Sequence, residues 1–148
     1  MRRFTITVKM LYALLIAPAS AYICLCADHI PEVTFQDVSN LLGSGDHSTI
    51  VIDVREPAEL KSDGRIPGTK NVPLQQLKSA LSLTCSEFKA KYGFDLPSKN
   101  TPLVFSCKSG RRATAAAEAA VEADYTNVRV YKGSFQDWVA NGGEVIKG

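Results

Sequence analysis

The sequence has little of several features that mark whole classes of protein. It contains only four cysteines and two histidines in 148 residues. Two of those cysteines, Cys24 and Cys26, lie in an apolar N-terminal stretch, so too few remain for a disulfide-stabilised scaffold. We interpret this C-x-C as hydrophobic filler rather than a metal site, and His29 and His47 as surface residues, so no metal is expected.

An excess of charge of one sign is also lacking. The chain has 17 basic and 15 acidic residues, and three of the basic ones, Arg2, Arg3 and Lys9, precede the first acid, Asp28. Beyond residue 27, 14 basic residues face 15 acidic ones. A nearly neutral body argues against a nucleic-acid-binding protein that works through a general positive field.

Residues 1–27 form a leader that differs from the rest of the chain. Residues 1–9 are basic and residues 10–27 carry no charge, as in a secretory signal, and residues 19–21 (ASA) would serve as its cleavage site. The apolar run is long for a signal peptide and short for a membrane span, so an uncleaved membrane anchor is a second interpretation of the leader. Such an anchor is the only membrane contact that we expect. A mitochondrial presequence is the main alternative, because early arginines and the absence of acids fit one. The free thiolate inferred below for the body also favours it, since oxidising compartments disfavour thiolates.

The body, residues 30–148, alternates strand-like and helix-like segments and is long enough for one domain. The predicted strands are residues 33–35, 49–54, 71–72, 103–106 and 128–131, and the predicted helices are residues 36–42, 56–61, 74–83, 85–92, 112–123 and 135–140. This alternation predicts an α/β fold with a mostly parallel central sheet and helices on both faces. The small-residue face of the alanine-rich helix would let it approach the sheet closely.

One strand-to-helix junction carries an unusual set of residues: Cys107, Lys108, Ser109, Gly110, Arg111 and Arg112. Active sites of open parallel sheets gather at such junctions. Backbone N–H groups of the turn and the positive end of the helix would converge on the cysteine sulfur, and Gly110 permits the tight backbone required. With the three cations, these groups are expected to lower the pKa of the thiol and to bind a tetrahedral dianion.

The alternative interpretation is an inert core cysteine beside two solvated arginines. However, cations at the start of a helix oppose its macrodipole, which points to another reason for the presence of Arg111 and Arg112. The combination of strand, cysteine, glycine, basic cluster and helix therefore favours a nucleophile in an anion-binding turn.

The C-x-x-G-x-R pattern between strand and helix resembles the active-site loop of single-domain rhodaneses, which are sulfurtransferases. Three further segments resemble that family in the same order: residues 52–56 (IDVRE, with Glu59 after it), 65–73 (RIPGTKNVP) and 130–138 (VYKGSFQDW). Arg65 and Ser134 stand where the family usually has histidine and glycine. The resemblance covers nearly the whole body and implies a rhodanese-like three-layer fold.

The resemblance implies a two-step reaction. The Cys107 thiolate would attack the outer, sulfane sulfur of thiosulfate and release sulfite, leaving a persulfide cradled by residues 108–112. Cyanide, glutathione or a protein thiol would then remove that sulfur, with ping-pong kinetics and without metal or organic cofactor. The basic loop, with Lys108 and Arg111, resembles those of thiosulfate users rather than mercaptopyruvate users, although Ser109 would suit either donor. We expect a monomer.

Four other residues receive structural rather than chemical interpretations. We interpret Asp53 and Arg55 as an ion pair that braces the loop rather than as direct substrate contacts. Trp138 is expected in the core. Cys85 is interpreted as a partly buried spare cysteine rather than a resolving thiol.

Two rival functions remain open. A Cdc25-like phosphatase places its arginine six positions after the cysteine, whereas here Ala113 is at that position and Arg112 is five after Cys107, a shorter loop that suits a sulfur substrate. The other rival is a non-enzymatic rhodanese module that carries a persulfide to one partner or acts as a partner-binding or stress-response domain. Turnover with small thiols, rather than only with a protein acceptor, would separate the enzyme from the module.

Overall fold

The computed structural model of the chain describes residues 29–148. The predicted leader, residues 1–27, lies outside the described residues together with Cys24 and Cys26. Among the helices that the structure describes, none combines the length and apolar character needed to cross a membrane.

Residues 29–148 form eleven elements, in which strands and helices alternate except that two helices follow one another between the third and fourth strands. The strands are β1 (Glu32–Val33), β2 (Ile50–Asp53), β3 (Lys70–Asn71), β4 (Leu103–Ser106) and β5 (Val128–Tyr131). The helices are α1 (Phe35–Gly43), α2 (Pro57–Asp63), α3 (Leu74–Ala80), α4 (Cys85–Tyr92), α5 (Arg111–Glu122) and α6 (Ser134–Ala140). The strands form one sheet in the order β1-β5-β4-β2-β3, and every neighbouring pair is parallel. The predicted α/β class is confirmed.

Two element boundaries differ from the prediction because of helix capping. The first strand ends at Val33 because Thr34 caps α1: its hydroxyl accepts from the Asp37 N–H, and the Asp37 carboxylate accepts from the Thr34 N–H at 2.8 Å. Helix α5 begins at Arg111, one residue earlier than predicted, because the left-handed Gly110 forms its N-cap.

The core consists of two apolar clusters, one on each face of the sheet. Successive side chains of β4 point to opposite faces, so Leu103 and Phe105 join the cluster under α3, α4 and α5, while Val104 joins the cluster under α1 and α6. Trp138 of α6 is 5% exposed in the second cluster, as expected of a core residue. The resulting three layers are the arrangement predicted from the sequence.

The alanine face of α5 packs directly on the sheet. Four of the six alanines of α5 are fully buried: Ala113, Ala116, Ala117 and Ala120. Small side chains let the helix axis approach the strands closely, and this fixes where the first turn of α5 stands relative to the end of β4. The residues between β4 and α5 are thereby held in a short, constrained turn.

Candidate active site

Strand β4 delivers Cys107 to the edge of the sheet where parallel strands end. Asp53 at the end of β2 is in register with Ser106, so β2 and β4 end side by side. Cys107 follows directly and is 1% exposed. The structure therefore places the predicted nucleophile at the carboxyl edge of the sheet, where open α/β folds form their sites.

Gly110 closes the turn over the cysteine sulfur. Its backbone is left-handed, with φ of 95°, and its N–H donates to Cys107 Sγ at 3.0 Å. A Cβ at this position would collide with the backbone oxygen of Lys132. Only glycine satisfies both the dihedral angle and the close approach, in agreement with the tight turn predicted from the sequence.

Ser134, at the start of α6, contacts the same sulfur from the other side. Its hydroxyl accepts from the Cys107 N–H at 3.0 Å, lies 3.8 Å from Cys107 Sγ and donates to the Tyr131 carbonyl at 2.7 Å. One hydroxyl proton serves either Tyr131 or the sulfur at a given moment. Ser134 is fully buried and adopts a left-handed φ of 55°, which explains why glycine is the common residue at this place in the resembled family.

The surroundings of Cys107 favour its thiolate. Burial raises the pKa of the thiol, but hydrogen bonds from the backbone of Ala113, from the Ser134 hydroxyl and from the backbone of Gly110 and Ser109 outweigh it and lower the pKa below its ordinary value. The sequence predicted a lowered pKa from backbone N–H groups and from three cations. Ser134, which lies 27 positions away in the chain, was not identified as a donor.

Two of the three loop cations are held by carboxylates of α2. The Arg112 guanidinium forms two bonds with Glu59, Nη1 to Oε2 at 2.6 Å and Nη2 to Oε1 at 2.9 Å. Lys108 Nζ lies 3.1 Å from the Asp63 carboxylate. The Arg112 guanidinium lowers the pKa of Glu59 to about 2, so this acid is ionised at neutral pH.

The two ion pairs reduce the positive charge that the loop of residues 107–112 presents to a ligand. Since Lys108 and Arg112 are partly neutralised, Arg111 is the loop cation that stays exposed and outside the ion pairs found among residues 29–148. The position of Glu59 after the IDVRE segment drew attention to this residue in the sequence. The sequence did not indicate that Glu59 forms an ion pair with Arg112.

Asp53 and Arg55 form a buried ion pair at the end of β2. Arg55 Nη2 lies 2.7 Å from the Asp53 carboxylate, and both side chains are at most 1% exposed. The same Nη2 donates to the Gly64 carbonyl at 3.0 Å, and the guanidinium stacks 4.2 Å over the Phe135 ring. The Asn71 amide donates to the carbonyls of Asp53 and Arg55, both at 2.9 Å. The pair therefore connects β2, the segment before β3, and α6.

The expectation for the burial of Cys85 was wrong. Cys85 is exposed, because it is the first residue of α4, directly after the cap Thr84, and Phe88 carries the buried face of that helix. The structure does not bring Cys85 to Cys107. Burial and the nearby Cys85 raise the pKa of Tyr125, a residue that follows the C-terminal end of α5. Cys107 lies before its N-terminus, and a helix of 12 residues spans about 18 Å.

The arrangement can perform covalent chemistry on an anionic substrate. A thiol with a lowered pKa faces backbone N–H groups at the start of α5, where helix ends favour negative charge. Within residues 29–148, no three His, Cys, Asp or Glu side chains converge to hold a metal ion. Both histidines are exposed, and each precedes a strand of the parallel sheet, β1 or β2, whereas Cys107 follows the end of β4.

Comparisons with known proteins match this geometry. The family profile described as a rhodanese-like domain matches residues 34–141. The chain is 40% identical to a rhodanese domain-containing protein of Drosophila melanogaster over 74% of this chain and 97% of that protein. It is 35% identical to a thiosulfate:glutathione sulfurtransferase of Saccharomyces cerevisiae, over 80% of this chain and 84% of that one.

Two further comparisons concern a named mitochondrial protein and a solved structure. The chain is 38% identical to the mitochondrial thiosulfate sulfurtransferase RDL2 of Saccharomyces cerevisiae, over 77% of this chain and 76% of that one. The structure of the human single-domain sulfurtransferase TSTD1 superimposes with a TM-score of 0.69 at 34% identity, covering 74% of this chain and 96% of that one.

Proposed function

The chain belongs to the rhodanese family, and on that premise we propose that it is a thiosulfate sulfurtransferase with Cys107 as its nucleophile. The observation that carries the proposal is the Cys107 thiol, which has a lowered pKa and lies between the Gly110 N–H and the Ser134 hydroxyl. The similar proteins named thiosulfate sulfurtransferases support the same reaction. They do not favour the Cdc25-like phosphatase.

The first half-reaction moves one sulfur atom onto the enzyme. The Cys107 thiolate attacks the outer sulfur of thiosulfate, a new S–S bond forms, and the S–S bond inside thiosulfate breaks with its electron pair leaving on sulfite. Charge is conserved, since a thiolate and a dianion become a persulfide anion and the sulfite dianion. The N–H groups that stabilise the thiolate also stabilise the persulfide, so neither state leaves a buried anion unpaired.

The donor is held by the loop that follows Cys107. We assign substrate binding to Lys108, Ser109, Gly110, Arg111 and Arg112, mostly through their backbone N–H groups. The exposed Arg111 guanidinium is the side chain best placed to meet the sulfonate oxygens, because Lys108 and Arg112 already bind carboxylates. Asp53 and Arg55 support this loop from below and take no part in the chemistry.

The second half-reaction returns the sulfur to a nucleophile. A thiolate such as that of glutathione or a protein cysteine, or cyanide, attacks the outer sulfur of the persulfide, and Cys107 leaves as a thiolate. Donor and acceptor react in turn with the same sulfur, so the kinetics are ping-pong. The reaction uses no metal and no organic cofactor, and one chain holds the whole site, so the monomer is the acting unit.

The decisive experiment is intact-mass spectrometry of the full chain before and after thiosulfate, beside the Cys107→Ser variant. We expect a gain of one sulfur atom that cyanide removes, and no gain in Cys107→Ser, which retains the fold. No gain in the folded, reduced protein contradicts thiosulfate as donor. If mercaptopyruvate also fails to load the protein, the non-enzymatic module becomes the better description.

The leader is proposed as a targeting segment with the mitochondrion as its destination. The pattern of residues 1–27 favours a secretory signal or anchor, but a low-pKa thiol functions best where cysteines stay reduced. Two similar yeast proteins carry the word mitochondrial in their names. Fractionation of cells expressing the full chain tests the destination, and recovery in secretory membranes would overturn it.

A further inference from the structure

The β5–α6 turn lies directly against the loop that holds the reactive sulfur. It comprises residues 131–136, from the last residue of β5 into the first turn of α6. The Phe135 N–H donates to the Cys107 carbonyl at 3.0 Å. The next residue, Gln136, donates its N–H to the Lys108 carbonyl, also at 3.0 Å. The backbone of the loop is therefore bonded to the start of α6 on either side of the nucleophile's peptide link to Lys108.

These two bonds orient peptide groups of the loop. A trans peptide group is planar, so its carbonyl and its N–H point in opposite directions. The Lys108 carbonyl points towards α6, so the N–H of the same peptide group, which belongs to Ser109, points to the opposite side. The Ser109 backbone is among the donors that lower the pKa of the Cys107 thiol. The first turn of α6 thus helps to aim a backbone donor at the sulfur.

The Ser134 hydroxyl is a second donor whose place depends on this turn. Ser134 has a φ of 55°, a conformation that residues with a Cβ rarely adopt, so the surrounding structure must hold it there. Its hydroxyl is bonded to the Tyr131 carbonyl at 2.7 Å and lies 3.8 Å from Cys107 Sγ. A displacement of Tyr131 relative to α6 would therefore move this hydroxyl relative to the sulfur.

A side-chain hydrogen bond joins the two ends of the turn. Tyr131 donates its phenol hydroxyl to Asp137 Oδ2 of α6 at 2.6 Å. Burial and the Asp137 carboxylate raise the pKa of the Tyr131 phenol, which therefore keeps its proton and remains a donor. The Asn141 side-chain amide donates to Asp137 Oδ1 at 3.0 Å, so both carboxylate oxygens are bonded. A Cβ on Gly133 would collide with the Asp137 side chain, which shows how closely Asp137 covers the turn.

We propose that Tyr131 and Asp137 are positioning residues for sulfur transfer, which hold the β5–α6 turn against the active-site loop through their mutual hydrogen bond. The inference rests on the proposed function and deepens it by naming residues that set the reactivity of its nucleophile. They act through the Ser134 hydroxyl and the Ser109 N–H, which stabilise the Cys107 thiolate. When the bond between Tyr131 and Asp137 is lost, these donors are held less firmly and the thiolate is stabilised less.

The test measures the reactivity of the Cys107 thiol in the full chain carrying Tyr131→Phe, which removes one hydroxyl and keeps the ring. Alkylation by iodoacetamide at several pH values gives the midpoint of thiol ionisation, and peptide mass spectrometry separates Cys107 from the other three cysteines. We expect the midpoint to rise and the alkylation rate below it to fall about threefold, the effect of one weakened hydrogen bond. A residue that only stabilised the fold would leave the midpoint in place.

Substitutions of Asp137 test whether the hydrogen bond is the route to the sulfur. Asp137→Ala removes the acceptor and should raise the midpoint as Tyr131→Phe does. Asp137→Asn keeps an oxygen that can accept from the Tyr131 hydroxyl, so its midpoint should lie closer to the wild-type value. Since both residues act through one bond, Tyr131→Phe combined with Asp137→Ala should shift the midpoint no further than Asp137→Ala alone. Additive shifts would overturn the bond as the route.

Tyr125→Phe is the matched control. Tyr125 is also buried, at 3% exposure, and its hydroxyl donates to the Pro97 carbonyl at 3.0 Å. It follows the C-terminal end of α5, whereas the loop precedes the N-terminus of that helix. This variant loses a comparable hydrogen bond, so we expect lower stability and an unchanged midpoint for Cys107.

Two results overturn the inference: an unchanged midpoint in both Tyr131→Phe and Asp137→Ala, or an equal shift in Tyr125→Phe. Alkylation does not require sulfur transfer, so these measurements stand apart from the proposed function. The absence of a persulfide on the wild-type chain after thiosulfate would overturn that function and leave the alkylation midpoints to decide the positioning roles.

Discussion

The Ser134 hydroxyl is the side-chain donor that the structure places beside the Cys107 sulfur, and it occupies a left-handed backbone position. We expect Ser134→Ala and Ser134→Gly both to raise the pKa of the thiol, because each removes a bond that stabilises the thiolate. Transfer near neutral pH should then fall about threefold to tenfold. Both variants lose the bonds of the hydroxyl to the Cys107 N–H and the Tyr131 carbonyl, but glycine relieves the strain of a positive φ that serine and alanine share, so only Ser134→Ala should lower the free energy of unfolding, by about 1 kcal/mol. The pH dependence of alkylation and urea unfolding measure the two effects, and an unshifted alkylation profile in both variants would remove Ser134 from the mechanism.

Arg111 and Lys108 differ in what is left for them to bind. Because Lys108 is paired with Asp63 while Arg111 is exposed, Arg111→Gln should raise the KM for thiosulfate about tenfold and Lys108→Gln should raise it less. The rate of persulfide formation at saturating thiosulfate should change little. Initial rates of sulfite release across thiosulfate concentrations measure both quantities. Equal effects of the two variants would show that the Asp63 pair does not restrain Lys108.

The sequence was most informative about residues whose chemistry is local. Cys107 and its loop could be predicted because a strand, a glycine turn and a helix start are adjacent in the chain. Ser134 could be seen as a departure from a common glycine, but its contact with Cys107 depends on how α6 packs beside β4. The partners of Arg112 and Lys108 lie 53 and 45 positions away, so only the folded chain reveals them.

Helix α2 holds the loop of residues 107–112 through two ion pairs. It buries no side chain of its own, and its Glu59 and Asp63 bind Arg112 and Lys108 across the site. These two ion pairs therefore connect α2 to the loop that follows β4. Arg112 lies in the first turn of α5, where the helix dipole disfavours a cation. The Glu59 carboxylate compensates this unfavourable charge.

The Glu59–Arg112 pair predicts a pH-dependent stability difference. The pKa of Glu59 is lowered to about 2 in the fold, so its stabilising effect is complete above the unfolded value near 4.5 and is lost as the pH falls towards 2. Glu59→Gln should lower the free energy of unfolding by about 1 kcal/mol at pH 7, a modest value because the pair is partly exposed. Urea unfolding at several pH values tests this. A difference from wild type that persists unchanged at pH 2 would contradict the ion pair as its source.

At the scale of elements, helix and strand types could be predicted and some boundaries could not. Periodicity and β-branched runs identified β4, β5 and α4 with their bounds as observed. The first strand was drawn too long because Thr34, a good strand residue, is used as a helix cap. Helix α5 starts earlier than expected because Gly110 ends the turn in a left-handed conformation.

At the scale of the whole molecule, the class and layers followed from alternation, whereas the strand order β1-β5-β4-β2-β3 rests on long-range pairings. That order places β4, with Cys107 at its end, in the middle of the sheet, between β5 and β2. The site is therefore supported from both sides, by β2 with its ion pair and by the β5–α6 turn with Ser134.

The buried Asp53–Arg55 pair connects the end of β2 to α6. Substitution of both residues distinguishes a structural role of this pair from direct contact with the substrate. Arg55→Met leaves the Asp53 carboxylate buried without a counter-charge, with only the backbone N–H of residue 55 as a partner at 3.0 Å, so the free energy of unfolding should fall by about 3 kcal/mol or more. Asp53→Leu combined with Arg55→Met removes both charges and should recover much of that loss.

Urea unfolding and thiosulfate kinetics on the same preparations decide between the two roles. If the pair is a brace, the doubly substituted chain recovers sulfur transfer along with stability, because the loop above it is again held in place. If the double variant is stable but still fails to form the persulfide, Arg55 or Asp53 contacts the donor directly. The guanidinium already binds Asp53, Gly64 and the Phe135 ring, which leaves it little freedom to reach a substrate. Recovery of both quantities is therefore the expected result.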